Sequence, residues 1–238
     1  MIFNLVKQKK HQQLKNKQQR GFSLFEVLIA LALSSIMLGL VVSNSFSEGQ
    51  KLDDTLTDLE KAIRFAHDEA VIRNSIVRIN FLMDRNPQEY TIEYGPNDNF
   101  VLPSSLTEED EDQVKSVRDE EEKKKELEVF EKKFNKVREF SESNIELQEI
   151  VRIIGIGSEL NKQLTSSGNA AIYVYPTGER DGAMIFLGTS EEVVAIKIPP
   201  FGGDLSREYI TLDDVKEDEL SDKQMDVSKV LFDKWITQ

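Results

Sequence analysis

The sequence predicts an α+β fold: one long N-terminal helix whose outer half packs on an antiparallel β-sheet domain, the latter interrupted by a charged helical insertion. Three observations predict it. An apolar run, Phe22–Val42, follows a basic head. Leu52, Leu56, Leu59, Ile63, Ala66 and Ala70 then recur in steps of 4, 3, 4, 3 and 4, the stripe of an amphipathic helix. Beyond residue 75, short runs rich in β-branched and aromatic residues alternate with Gly, Pro and Asn turns.

The head, residues 1–21, carries six positive charges (Lys7, Lys9, Lys10, Lys15, Lys17, Arg20) and no acid. The whole chain has a formal charge of −13, so residues 22–238 carry about −19. A basic head on an acidic body does not suit nucleic-acid binding, which needs a basic face on the folded part. It suits a segment held on the cytoplasmic side of a membrane. With no cysteine and only two histidines, His11 and His67, disulfides, thiolate metal sites, a cysteine nucleophile and His-rich zinc sites are excluded. No metal site, cofactor or catalytic residue is expected, and the chain is not expected to be an enzyme.

Residues 22–42 as a helix measure roughly 31 Å, the hydrocarbon thickness of a bilayer. Bases cluster before this segment, and just after it acids (Glu48, Asp53, Asp54) outnumber the single Lys51, which puts the head in the cytoplasm and the body outside. Three readings fit: a secretory signal cut after the small-x-small stretch Ser43-Asn44-Ser45, an uncleaved anchor, or a leader removed ahead of the apolar run. Glu26 bears on the choice, because a lone carboxylate in a span costs on the order of 2.5–3.5 kcal/mol at the membrane centre. Cutting between Gly21 and Phe22 would create a free amine one helical turn from Glu26, and a pairing there offsets the penalty.

The stretch Arg20-Gly-Phe-Ser-Leu-Phe-Glu-Val-Leu-Ile-Ala30 resembles the prepilin cleavage and methylation motif of type IV pilins and type II secretion pseudopilins. The resemblance implies that prepilin peptidase cuts between Gly21 and Phe22 and N-methylates Phe22. It also implies that Glu26 pairs with a neighbouring subunit's N-terminus during assembly. Partners would be the peptidase, the inner membrane, and other pilins or pseudopilins through the N-terminal helix, with no nucleic acid. The 21-residue leader is longer than most pseudopilins carry, and Ser43 stands where many members have a proline.

After a polar hinge at Ser43–Gln50, the outer half of the helix, 43–74, runs to about Asn74, with His67 beside the stripe as a surface or domain-contacting residue. The globular β-rich domain spans 75–203. Val77, Ile79 and Phe81 share one face of a first strand and Tyr90, Ile92 and Tyr94 one face of a second, joined through Asp84-Arg85-Asn86-Pro87 as a hairpin. The charged insertion, 107–143, opens with the five acids Glu108–Asp112. A helix follows with Leu127, Phe130, Phe134 and Val137 as its apolar stripe, expected to bury against its own domain rather than a partner. Further strands are expected at Ile150–Ile156, Ala171–Tyr175, Ala183–Leu187 and Val193–Ile198, with the sheet closed by Pro199-Pro-Phe-Gly-Gly203. Gly155-Ile-Gly157 reads as a strand end and not as a dinucleotide site. In the acidic C-terminal extension, 204–238, Val227, Val230, Leu231 and Trp235 fall at helical spacing, as a cover for the sheet or a contact to another subunit.

This order is similar to the GspH/FimT group of minor pseudopilins and minor pilins, over residues 20–94 and 171–203. The resemblance implies a structural subunit, a minor pseudopilin of a type II secretion pseudopilus anchored by one span in the inner membrane with its C-terminal domain in the periplasm. Alternatives are a minor pilin of a type IV pilus, a membrane-tethered hydrolase, and a soluble binding protein secreted after a cut at Ser45.

Overall fold

A computed structural model describes residues 23–96, 125–141, 144–212 and 215–237, and of residues 39–47 the backbone alone. The chain divides after Ser45 into two units. Helix α1 is Leu24–Arg73. It includes Ser43–Gln50, expected as a hinge: Ser, Asn and one Gly each cost at most about 1 kcal/mol of helix propensity, and no proline interrupts them. The helix ends where Asn74 turns left-handed (φ 49). There the Ser75 N–H reaches the Ala70 carbonyl at 3.2 Å and the Asn74 N–H the Val71 carbonyl at 3.3 Å. These are the two bonds of a Schellman cap, with Asn in the place glycine usually takes.

In the unit from Phe46 onward, all six stripe residues of α1 are at most 2 % exposed. They pack on two antiparallel sheets. The first contains β1 (Val77–Leu82) and β2 (Glu89–Tyr94), the expected hairpin, in the register Ile79 opposite Ile92. A helical stretch α2 (125–131) leads to β3 (Asn135–Lys136) and β4 (Ile145–Glu146), which both pair with β2. The second sheet is built from β5 (Arg152–Ser158) and β6 (Leu164–Thr165), while β7 (Asn169–Val174) returns to the first sheet beside β1. Strands β8 (Ala183–Gly188), β9 (Glu192–Ile198) and β10 (Ser206–Thr211) complete the second sheet in the order β10-β9-β8-β5-β6. Helix α3, Leu220–Ile236, follows. The arrangement is α+β and pilin-like, with an N-terminal helix, antiparallel sheets and a C-terminal helix.

Two layers of core result. Ile63 and its neighbours on α1 meet Ile79, Phe81 and Ile172 from the first sheet and Ile185, Leu187 and Ile196 from the second in one cluster. The opposite face of the second sheet, with Met184, Phe186, Val193 and Ala195, is covered by Phe232 of α3. Strand β8 is therefore buried at all six positions. Gly157 makes this approach possible: a Cβ there would lie 2.2 Å from the Phe232 ring.

Further expectations are corrected. In the insertion, α2 ends at residue 131, so of the predicted stripe only Leu127 and Phe130 are helical. Phe130, Phe134 and Val137 are nonetheless buried in their own domain, Phe134 and Val137 by the loop and strand pairing around β3. The acids of Glu108–Asp112 lie outside the described residues. Second, the sheet does not close at Gly203. Strand β10 extends it, held to α1 by Arg207 on Glu60 (2.7 Å) and the Tyr209 hydroxyl on Asp53 (2.9 Å). Its charged pair Arg207-Glu208 hid a half-exposed edge strand. Third, α3 covers the sheet as expected, with Val227, Leu231 and Trp235 packed against its core, but the fully buried face is centred on Gln224, Ser228 and Phe232, and Val230 of the predicted stripe is 67 % exposed. Gly155 and Gly157 lie inside β5 instead of ending it, and the sequence pattern is that of a strand, not a phosphate loop.

Candidate assembly site at the N-terminal helix

The described part of the first unit begins at Ser23. Its hydroxyl accepts the Glu26 N–H at 3.2 Å, and its carbonyl accepts the N–H groups of Glu26 and Val27 at 3.0 and 3.2 Å. Ser23 is thus the N-cap of α1. Glu26 falls in the first turn, where the helix dipole favours an anion. Its carboxylate is exposed, and no group among the described residues bonds it.

From Leu24 to Leu38 the helix is apolar on every side. Leu24, Phe25, Leu28, Leu31, Leu33, Ile36, Met37 and Leu38 are all 55–79 % exposed, and Val27 and Ile29 close to half. These positions cover the full turn of a 3.6-residue helix, the pattern of a segment that is surrounded by lipid or by other helices. Ser35 returns its hydroxyl to the Leu31 carbonyl at 2.8 Å, which satisfies that donor within the helix. No helix among the described residues is long and apolar enough to cross a membrane. Side chains are described for residues 23–38 only, about 24 Å of helix, and the expected span 22–42 extends past them at both ends. Gly21 and Phe22, the expected cleavage pair, also lie outside the described residues.

Elsewhere the polar chemistry is structural. His67 packs beside the Gly178 turn, its Nδ1 3.3 Å from the Asp68 carboxylate. Arg78, 2 % exposed, donates to Glu93 at 2.8 Å and with two nitrogens to Glu131 at 2.9 and 2.5 Å, under the Phe134 ring at 3.9 Å. It ties α2 to the first sheet. Asp181 accepts the Tyr173 N–H and the Tyr175 hydroxyl, both at 3.0 Å. Burial pushes its carboxyl up to about 6 against the pull of those two donors. Sequence reasoning missed Arg78 and Asp181, because a lone charge in an alternating strand or turn looks like an outward residue. Among the described residues no three His, Asp or Glu side chains gather as metal ligands.

Comparison with known proteins agrees on the segment that carries these features. Residues 16–42 match the family described as the prokaryotic N-terminal methylation motif. No curated protein and no solved structure matches the chain. The chain carries a prepilin-type methylation motif, which supports a pilin or pseudopilin with a membrane-anchored N-terminus, processed by prepilin peptidase and assembled with other pilins.

Proposed function

We propose that this chain is a minor pseudopilin of the GspH/FimT type in a type II secretion pseudopilus, acting mechanically and not as an enzyme. The observation that carries this reading is the pairing of a prepilin-type motif with a helix start that is apolar on all sides and holds one carboxylate, Glu26, without a partner among the described residues. Parallel apolar helices associate in the filament core, and the new Phe22 amine meets Glu26 at one membrane depth. The helix spans the inner membrane once, with the domain from Phe46 onward in the periplasm. A body charge of about −19 favours low copy number, since many identical acidic domains side by side repel.

Mass spectrometry of the mature protein tests the reading: the chain should begin at Phe22, N-methylated. A start at Phe46 would mean an ordinary signal peptide, and an intact Met1 a simple anchor; either overturns the proposal. Gly21→Ala should leave the leader on, whereas Glu26→Ala should be cut yet enter filaments poorly. Deleting the gene should stop export of folded proteins; lost piliation with normal export would assign the chain to a type IV pilus instead.

A further inference from the structure

The unit from Phe46 onward holds a buried cation, Arg180, with which no carboxylate among the described residues pairs. Arg180, between β7 and β8, is 8 % exposed, and its guanidinium donates only to the backbone carbonyls of Pro199 and Gly203, each at 2.8 Å. Arg64 of α1 stands one helical turn before His67, which packs on the Gly178 turn two residues before Arg180; burial and the positive charge of Arg64 both hold Arg180 below the usual arginine range. Arg64 is exposed and likewise has no carboxylate partner among the described residues. Acids are not scarce, since the chain has 43 Asp and Glu. Arg78 has Glu93 and Glu131, and Arg207 has Glu60. A buried guanidinium left without an anion is costly, so an arrangement that withholds one from Arg180 and adds a second arginine is suited to an anion from outside.

The surroundings fit a protein ligand. The two carbonyls that Arg180 holds bracket Phe201, whose ring is 67 % exposed. An exposed aromatic beside arginine is the composition that dominates binding energy at protein interfaces, and a carboxylate takes a guanidinium fork with two bonds. We propose that Arg64, Arg180 and Phe201 form a receptor for an Asp or Glu side chain of a neighbouring filament subunit, an occupant that rests on the pilin-type reading above. The contact would bring two acidic domains together at a point where one of them offers unneutralised positive charge.

The test uses the full chain in the membranes of cells that assemble it, with a photo-crosslinking residue in place of Phe201. The expected product joins it to a subunit that itself has a prepilin-type N-terminus, at a peptide containing Asp or Glu. Arg64→Glu should lower the yield by about five-fold or more, and Arg64→Lys should retain most of it. Arg64 is varied because Arg180 also holds its own loop. Equal yields from wild type and Arg64→Glu, or a crosslinked peptide without an acid, would overturn the receptor. The N-terminus of the same samples separates the two ideas. A chain cut at Phe22 whose crosslink ignores Arg64→Glu sinks only the receptor, whereas a chain that keeps Met1 sinks the filament reading and this occupant with it.

Discussion

Helix α1 contains two apolar surfaces of different kinds. Between Leu24 and Leu38 the apolar side chains point in all directions, and Leu33 is 60 % exposed. Between Leu52 and Ala70 they form one stripe, and Leu56 is fully buried. The second surface is completed within the chain, by two sheets and their cores. The first finds no partner among the described residues, the pattern expected of a segment that a bilayer or other subunits surround. Amino-acid type does not separate them, since both are rich in Leu, Ile and Ala. What separates them is the angular spread: a stripe can be satisfied by one neighbouring face, an all-round surface only by an environment.

The contrast breaks if the outer unit does not complete its own apolar surfaces. The largest effect should come from Phe232→Ala, which uncovers the second face of β8 and leaves a cavity over Gly157. Unfolding in urea should show a loss of about 3–5 kcal/mol with little change in the slope. A loss below about 1 kcal/mol would mean that α3 is only loosely laid on the sheet. Next, the two halves of α1 can be compared directly in the detergent-solubilised full chain. Leu56→Ala should cost the outer unit about 2–5 kcal/mol, whereas Leu33→Ala should stay within about 0.5 kcal/mol. Equal losses would erase the distinction.

The elements whose partners lie close in sequence were legible. The α1 stripe and the β1–β2 hairpin follow from periods of 3.6 and 2 and from the turn at Asp84-Arg85-Asn86-Pro87. The motif around Gly21, Phe22 and Glu26 was legible because its chemistry is local. What escaped depends on distant contacts. Strand β10 reads as a charged tail until Arg207 and Tyr209 are placed against Glu60, Thr57 and Asp53 on α1, 147 to 156 residues earlier. That Phe232 and not Val230 faces the sheet depends on Gly157, a position that says nothing about a helix 75 residues later. Phe134 and Val137 kept helical spacing because turn and strand there happen to bury the same side chains that a helix would.

The smallest effect concerns carboxylates in apolar surroundings, where the two units differ again. Glu26 has no partner for its carboxylate among the described residues, whereas Asp181, 5 % exposed, has two. Even so, burial outweighs them and moves Asp181 from 3.8 up to about 6. The folded state thus holds this proton more tightly than the unfolded chain does. The stability it contributes is fully present below about pH 4 and is lost as pH rises through about 6. Asp181→Asn cannot ionise. Its unfolding free energy should therefore fall less between about pH 4.5 and 7.5 than that of wild type, by on the order of 2 kcal/mol. Identical pH profiles in urea titrations would show that Asp181 stays ionised in the fold. The amide can face the Tyr173 N–H with its oxygen only if its nitrogen faces Tyr175, whose hydroxyl must then turn from donor to acceptor. That change is the same at every pH, so it displaces the whole curve of the variant without restoring its slope.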